Sequence, residues 1–355
     1  MSRFTSLKVS HIEKTTADCV LVTLDVPEMH KAAFAFKQGQ YLTLRAIIKG
    51  ESVQRSYSIC SSPLDHEWRV GIKQVPNGLF STFANEELKV GDELESMAPA
   101  GNFYVEVADK QQNYVCFAAG SGITPMISII KTHLQAEPKA TFKLFYINQT
   151  VSSIILKEEL EALKNIYMDR LEIFYFLTRQ NRSVELFNGR LDEAKLETIF
   201  KTICDVNSTD HYFICGPESM IFLIKDFLVD KSVDEDKIHF ELFNTGDKKP
   251  KLAKAVVEKI KGKTCAVTLT EGGKTMEFEL AMGGDNLLDA ALNNSADLPY
   301  ACKGGVCSTC KAKLIEGKVD MPVAYGLEKE EIENGYVLTC QAFPLSEKVV
   351  VDFDS

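Results

Sequence analysis

Residues 298–310, LPYACKGGVCSTC, carry three cysteines, Cys302, Cys307 and Cys310, spaced C-x4-C-x2-C. A fourth, Cys340, follows in YVLTCQ after 29 intervening residues. Two irons bridged by two sulfides need four thiolate ligands, and this spacing is the pattern that supplies them. A loop wrapped round such a group must aim backbone N–H groups at sulfurs that carry negative charge. Gly304 and Gly305 permit the tight turns this requires, and small Ala301, Ser308 and Thr309 keep the wrap narrow. Structural zinc is the competing reading. Zinc sites usually pair two CxxC knuckles, and here only Cys307 and Cys310 form one. Disulfides are disfavoured, because the start of the chain, MSRFTSLKVSHIEKTT, shows no apolar secretory h-region.

On these residues the chain from about residue 263 to the end resembles a plant-type ferredoxin. Its local patterns agree. TCAVTLTEGGKTMEFEL reads as a hairpin about a Gly-Gly turn, NLLDAALNNSA as a helix, and KAKLIEGKV, YVLTCQAF and EKVVVDF as strands. The resemblance implies a β-grasp fold that passes electrons one at a time. The preceding residues must then load it.

Composition sets the frame. A chain of 355 residues is expected to form two or three domains, and 45% hydrophobic with 25% charged residues is ordinary for a soluble protein. No run approaches the length of a bilayer span, and the expected location is cytoplasmic. Of the net charge of −10, a balance of −7 falls between Lys263 and Ser355, where 15 acidic residues face 8 basic ones. Such a surface disfavours nucleic acid and suits either a basic partner surface or plain solubility. Cys19, Cys60, Cys116, Cys204, Cys215 and Cys265 are scattered in apolar runs, as buried free thiols are.

The first hundred residues alternate with period two in FTSLKVSHIEKT, CVLVTLDV, QYLTLRAII, QRSYSIC, WRVGIKQV and DELESMAP, the pattern of a small antiparallel barrel or sandwich. Asn77-Gly78 interrupts it, and LFSTFANEEL reads as one short helix. Two stretches carry chemistry. In Arg55-Ser56-Tyr57-Ser58, Arg55 has the donor fork that clamps a pyrophosphate, Tyr57 shares its strand face and offers a ring, and Ser58 offers a hydroxyl. An exposed strand accounts for the same residues. In Gly78-Leu79-Phe80-Ser81-Thr82, a glycine turn opens a helix whose free N–H groups suit an anion, or are capped by Asn77 or Ser81. Together these resemble the FAD-binding barrel of the ferredoxin–NADP reductase superfamily over residues 4–105. The resemblance implies that Arg55 binds FAD phosphate, that Tyr57 packs on the flavin or its ribityl chain, and that Ser58 lies near flavin N5. It also implies that the backbone of Gly71, Ile72 and Lys73 passes the cofactor, with Ser81 and Thr82 at the pyrophosphate and Ser56 and Gly78 among the cofactor-binding residues.

From residue 106 to 243 strand-like and helix-like runs alternate: NYVCFAAG and PMISIIKTHLQ, TFKLFYIN and KEELEALKN, LEIFYFLT and DEAKLETIFKTI, HYFICG and ESMIFLIKDFLV, then IHFELF. A βα repeat predicts a doubly wound α/β domain, with ligands at the carboxyl ends of its strands. Two strand ends stand out. Gly120-Ser121-Gly122-Ile123-Thr124-Pro125 breaks a buried strand into glycines before a helix, suiting a pyrophosphate or a plain connector. Cys215-Gly216-Pro217, with Met220 one turn on, ends another. The resemblance to the nicotinamide domain of the same superfamily implies that Gly120 to Pro125 and Gly216, Pro217 and Met220 contact the nucleotide. It places Cys215 beside the ring where hydride leaves. It also implies that Glu241 and Phe243 touch the flavin edge, although a plain edge strand explains them equally. Asn148-Gln149-Thr150 has no cation, whereas Arg179 and Arg182 follow the third strand, so NADPH and NADH both stay open.

Residues 244–262 are lysine-rich and read as a linker, with AKAVVEKI patterned as a short helix. The order flavin, nicotinamide, ferredoxin is similar to that of reductases of multicomponent oxygenases. It implies FAD, a [2Fe–2S] cluster, NAD(P)H as donor and a diiron oxygenase component as partner. A reductase of another ring hydroxylase or of a desaturase fits the same residues. So does a non-catalytic redox sensor that uses the cluster as a switch.

Overall fold

The computed structural model describes residues 3–243, 252, 256, 258, 260 and 262–355. The expected linker, with its short helix, falls largely outside the described residues. The chain forms two compact units: Phe4–Val53 with Tyr57–Phe243, and Asn244–Ser355 with Met1–Arg3 and Gln54–Ser56.

In the larger unit the alternating runs become β1 (Thr5–Thr16), β2 (Cys19–Asp25), β3 (Tyr41–Ile48), β4 (Glu51–Ser58), β5 (Trp68–Lys73) and β6 (Glu93–Ser96). They form one sheet in the order β4-β3-β6-β1-β2-β5. Ile59, just past β4, bridges Val70 of β5, so the outer strands of that order meet and the sheet closes as a barrel. Closure removes the open edges a sheet would otherwise expose. Leu7, Val9, Val22, Leu44, Val70 and Ile72 fill the interior, and Phe80 and Ala84 of α1 (Leu79–Glu86) cover it.

The βα repeat becomes β7 (Asn113–Ala119), α2 (Ile123–Ala136), β8 (Thr141–Asn148), α3 (Lys157–Ile166), β9 (Leu171–Leu177), α4 (Glu193–Thr202), β10 (His211–Gly216), α5 (Glu218–Asp230) and β11 (Ile238–Leu242). The sheet is wholly parallel, in the order β11-β10-β7-β8-β9. Strand alternation explains the two layers of helices. Tyr114, Cys116 and Ala118 of β7 share a core with Ile123, Ile127 and Ile130 of α2 and Leu160 of α3. Phe117, Phe145 and Phe174 stack on the opposite face, at 4.9 and 5.0 Å between centroids, and Phe117 meets Phe200 of α4. The order reverses between β7 and β10, and that crevice is where such sheets bind ligands.

Polar contacts tie α2 to the barrel. Ser128 Oγ donates to Ser61 O at 2.6 Å, the Thr132 and Ser62 hydroxyls lie 2.8 Å apart, and Lys131 pairs with Asp65 at 2.7 Å and Glu159 at 3.0 Å. Arg69 reaches Glu159 of α3 through both carboxylate oxygens. This matters for the site because the N-terminus of the same helix carries the glycine turn.

The smaller unit holds β12 (Thr264–Glu271), β13 (Lys274–Ala281), α6 (Leu287–Asn293), β14 (Lys311–Glu316), β15 (Val319–Asp320), α7 (Lys329–Glu333), β16 (Tyr336–Leu338), β17 (Phe343–Pro344) and β18 (Lys348–Asp352). Its main sheet runs β13-β12-β18-β14-β16, with a central parallel pair β12 and β18. Leu287, Leu288 and Ala291 of α6 pack into it, the grasp expected. Two expectations fail locally. KAKLIEGKV breaks at residues 317–318, ending β14 before β15 begins in a separate two-stranded sheet with β17. YVLTCQAF is not a continuous strand: it stops at Leu338, turns through residues 339–341, and resumes at Phe343. The turn is what frees Cys340 from the sheet. The short helix α7 was not foreseen, since KEEIE is too short for a period to register.

Candidate active site and iron–sulfur loop

Five separated segments meet in the larger unit. Ser58 ends β4, and its hydroxyl donates to Glu241 of β11 at 3.1 Å. Gly71 of β5 lies so near Thr124 that a β-carbon on it would stand 2.6 Å from Thr124 Cγ2. Gly122 lies equally close to the end of β10, where an added β-carbon would stand 2.2 Å from the Cys215 carbonyl oxygen. Thus Ser58, Gly71, Thr124, Gly122, Cys215 and Glu241 are linked by direct contacts at the strand-order reversal.

The glycine turn is more ordered than a connector. Gly120 takes the left-handed conformation at φ +54°, which favours glycine. Gly120 to Gly122 form a 3-10 turn that runs straight into α2, with no side-chain cap on the helix start. The Tyr146 hydroxyl donates to Gly120 O at 2.9 Å, and Ile123 N donates to the same carbonyl. With its carbonyl held inward, the turn leaves backbone N–H groups for an anionic ligand. Thr124 Oγ1 bonds back to Ser121 O at 2.9 Å. Pro125 sits inside the first turn of α2, where its missing N–H costs no helical bond. Tyr146 was not foreseen; one tyrosine in an apolar strand gives no signal.

Burial pushes the Glu241 carboxyl up to about 8, against the opposing pull of the Ser58 hydrogen bond. The carboxyl therefore holds its proton at neutral pH. Burial likewise raises the Cys215 thiol well above its ordinary range, and Glu241 adds to the rise, so Cys215 is a neutral packing surface rather than a thiolate. The folded pKa of Glu241 lies above its ordinary 4.5, so the stability it contributes is present below that value and lost as pH rises through about 8. Glu241→Gln is therefore expected to gain on the wild type in urea unfolding between about pH 5 and about pH 9. Parallel stability curves would mean that Glu241 is not held protonated.

The barrel residues are placed as follows. Arg55 is exposed, with Nη1 donating to Gln54 O at 2.7 Å, and Ser56 is half-buried beside it on β4. The Tyr57 ring lies 5.5 Å from that of Phe80. Helix α1 begins at Gly78 with no side-chain cap, so neither Asn77 nor Ser81 closes it. The Ser81 hydroxyl accepts from Val75 N and donates to Gly78 O, both at 3.2 Å, and so shapes the turn itself. Thr82 accepts from Gln74 Nε2 at 3.4 Å. An uncapped helix start fits a phosphate group. Lys73 pairs with Asp18 at 3.6 Å, and Ile72 is buried in the barrel. Gly216 packs on Met220, whose methyl would stand 2.6 Å from an added β-carbon, with Pro217 leading into α5. Phe243 follows β11 and is exposed.

The third strand separates its two arginines. Arg182 is committed: Nη1 donates to Tyr175 O at 3.0 Å, and its backbone N–H to Asn188 at 2.6 Å. Arg179 is exposed, and its backbone N–H donates to Gln149 O at 2.8 Å, which pins it beside the loop after β8.

In the smaller unit the cysteine loop aims donors at sulfur. Gly304 N and Cys307 N donate to Cys302 Sγ at 3.3 and 3.4 Å, and Gln341 Nε2 points to Cys340 Sγ at 3.9 Å. Cys307 Sγ lies 3.2 Å from Cys302 Sγ. The Cys307 and Cys340 thiols, with the Gly304 and Cys307 N–H groups, hold Cys302 well below the ordinary thiol range against the opposing pull of burial. Gly305 is at φ +75°, and a β-carbon there would meet Gln341 and Val323 at 2.8 Å. Among the described residues no group of three or more His, Cys, Asp or Glu side chains is arranged to hold a metal ion. N–H groups turned to sulfur fit an iron–sulfur cluster, whose charge is spread over its sulfurs. Gln341 was missed, although it adjoins the fourth cysteine.

Comparison with known proteins agrees with each region. Residues 6–104 match the oxidoreductase FAD-binding domain, residues 117–226 the oxidoreductase NAD-binding domain, and residues 269–345 the 2Fe-2S iron-sulfur cluster binding domain. The chain is 42% identical over 356 residues to a subunit of the 1,2-phenylacetyl-CoA epoxidase of Escherichia coli (strain K12), covering 100% of this chain and 99% of that one. It is 31% identical to the ferredoxin reductase component of 3-ketosteroid-9-alpha-monooxygenase from Rhodococcus rhodochrous, covering 99% and 97%. Its fold is that of phthalate dioxygenase reductase, at a TM-score of 0.61 and 21% identity over 99% of this chain and 98% of that one. FAD, a [2Fe–2S] cluster and NAD(P)H are the cofactors of this oxidoreductase. The chain belongs to the family of ferredoxin–NADP reductase-like flavoproteins with a C-terminal plant-type [2Fe–2S] domain, the family that includes the 1,2-phenylacetyl-CoA epoxidase subunit of Escherichia coli.

Proposed function

We propose that this protein is the reductase component of a phenylacetyl-CoA epoxidase, delivering electrons from NADPH to a diiron oxygenase component in phenylacetate catabolism. The observation that carries the reading is the full-length likeness at 42% identity to an epoxidase subunit. Bound flavin supplies the conversion of a two-electron hydride input into single electrons that a [2Fe–2S] cluster can take. The chain's own part is placement. The Gly120 to Thr124 turn orients the nucleotide, Cys215 packs at its ring, Ser58 and Glu241 hold a proton at the site, and Cys302, Cys307, Cys310 and Cys340 ligate the cluster. Three domains serve these roles: 1–105 for FAD, 106–243 for the nucleotide and 263–355 for the cluster, joined through 244–262. No helix among the described residues is long and apolar enough to cross a membrane. We infer a cytoplasmic location from the likeness to reductase components of multicomponent oxygenases.

The preference for NADPH rests on Arg179. Its side chain is exposed and its backbone is pinned beside the loop after β8, Arg182 is already engaged, and no acid directly follows β8 to select an unphosphorylated ribose. A charge-assisted contact to a 2′-phosphate is worth about 1.5–3 kcal/mol. Arg179→Ala is thus expected to raise the KM for NADPH by about tenfold or more and to leave NADH within about twofold. Equal effects on both nucleotides would remove Arg179 from the phosphate.

The test of the whole reading is an anaerobic titration followed by turnover. Flavin and cluster bands should bleach together with NADPH, and NADPH oxidation should couple to phenylacetyl-CoA when the epoxidase oxygenase component is added. Rapid internal reduction without that coupling would favour a reductase for another ring hydroxylase, the reading that the ketosteroid monooxygenase relatives support. Failure of NADPH and NADH to reduce the protein would bring the sensor forward.

A further inference from the structure

The fourth cysteine is followed by a buried amide. Gln341 is 1% exposed and adjoins Cys340, yet its side chain turns back to the segment that carries the first cysteine. Nε2 donates to Lys303 O at 3.2 Å and points to Cys340 Sγ at 3.9 Å. A carbonyl oxygen and a ligating thiolate only accept, so the NH2 end of the carboxamide must face them. One side chain thus joins the first cysteine's loop to the fourth cysteine.

Lys303 is the residue that needs holding. It follows Cys302 directly and takes the left-handed conformation at φ +49°, which residues other than glycine rarely adopt. Backbone bent in this way turns successive N–H groups inward as a nest for negative charge. Gly304 N and Cys307 N point from it to Cys302 Sγ at 3.3 and 3.4 Å. Two kinds of contact hold Lys303. Its ammonium pairs with Asp289 of α6 at 2.8 Å and lies 4.7 Å from the centre of the Tyr300 ring. Its carbonyl takes the Gln341 bond. The ion pair lies in water, its side chains 42% and 38% exposed, whereas the amide is buried, so the amide is the stronger brace. Gln341 also packs over Gly305, where an added β-carbon would stand 2.8 Å from its Cγ.

We propose that Gln341 is a positioning residue that raises the reduction potential of the [2Fe–2S] cluster. Its amide fixes the Lys303 carbonyl, which keeps the Gly304 and Cys307 N–H groups on Cys302, and it supplies a further donor to Cys340. This rests on the four-cysteine ligand set given above. A reduced cluster carries one more negative charge, spread over its sulfurs. N–H donors therefore stabilise it more than the oxidised form, and the cluster becomes a better acceptor of the flavin's electrons.

The test is an anaerobic redox titration of the holoenzyme, the cluster followed by its electron paramagnetic signal and the flavin by its absorbance. Gln341→Met keeps the length of the side chain and its packing on Gly305 but has no N–H to give. It should favour the oxidised cluster about tenfold, a fall of about 59 mV for one electron, with cluster content and flavin potential unchanged. Gln341→Glu, when ionised, removes the donor and adds a negative charge, so it should lower the potential further. A wild-type potential in Gln341→Met would overturn the proposal. So would an equal fall in the flavin potential, because the substitution would then act on the whole protein. Should Gln341→Met lose its cluster, Gln341→Glu decides: a potential below that of the wild type supports the proposal, and one at or above it overturns the proposal. Absence of a cluster from the wild type would instead strike the ligand set.

Discussion

Cys340→Ser is expected to abolish the cluster and leave the flavin reducible by NADPH. Cys340 is 1% exposed, in a turn built without its own side chain. Thr339 N and Oγ1 both donate to Cys310 O, at 3.1 and 3.0 Å, and Gln341 N donates to Leu338 O at 2.8 Å. Gln341 Nε2 adds a bond to Lys303 O at 3.2 Å. These bonds set the path of residues 339–341, so serine fits without moving the backbone. What it changes is the donor atom. A hydroxyl oxygen is a poor ligand for iron–sulfur chemistry, which soft thiolates suit. The visible bands and the electron paramagnetic signal of a reduced [2Fe–2S] centre should vanish, and cluster-dependent transfer to a one-electron acceptor should fall at least about a hundredfold, a loss of about 2.7 kcal/mol in barrier terms. Flavin reduction by NADPH should stay within about twofold of the wild type. An intact cluster in this variant would remove Cys340 from the ligand set. Loss of flavin reduction as well would mean that the substitution damages more than the loop.

The two kinds of site differ in how much of them a sequence can hold. The cysteine loop was legible because its chemistry is written in residue type and spacing, and four thiols at fixed intervals have few other uses. The βα repeat was legible because each strand is apolar on both faces and each helix on one, so short continuous apolar runs alternate in order with runs of period 3.6. The meeting of Ser58 with Glu241 was not. The two lie 183 residues apart, on strands of different sheets, and either could belong to an ordinary exposed strand; resemblance alone put them together. Tyr146 was invisible for another reason. What distinguishes it is a hydrogen bond made to Gly120, and that leaves no trace in a run such as TFKLFYIN. The break in YVLTCQAF was lost because local pattern reads apolar residues as strand, while the turn at 339–341 is imposed by the hydrogen bonds that Thr339 makes to Cys310.

Gly122→Ala is expected to slow hydride transfer about a hundredfold while FAD stays bound. Gly122 sits at φ −60°, ψ −7°, where alanine is as comfortable as glycine, so the backbone conformation itself exacts no penalty. The whole effect is contact. An added β-carbon would stand 2.2 Å from the Cys215 carbonyl oxygen and 2.7 Å from its carbon, with Sγ farther at 3.2 Å. Relief requires the turn and the end of β10 to part by about 1 Å, and a shift of that size in a reacting geometry costs about a hundredfold. Neither side yields easily. Tyr146 and Ile123 both hold Gly120 O, and β10 lies between β7 and β11 in register. Overpacking of this kind destabilises by about 1–3 kcal/mol, which a domain of this size can absorb. The FAD barrel keeps its own core, in which Leu44, Val70 and Phe80 take no part in the clash, so flavin content should hold. Because the nearest obstruction is backbone, Cys215→Ala combined with Gly122→Ala should not restore the rate. Rescue by that second change would place the obstruction at the thiol. Wild-type hydride transfer in Gly122→Ala alone would show that the contact between turn and strand is free to open, and that the reaction does not depend on the spacing preset where the strand order reverses.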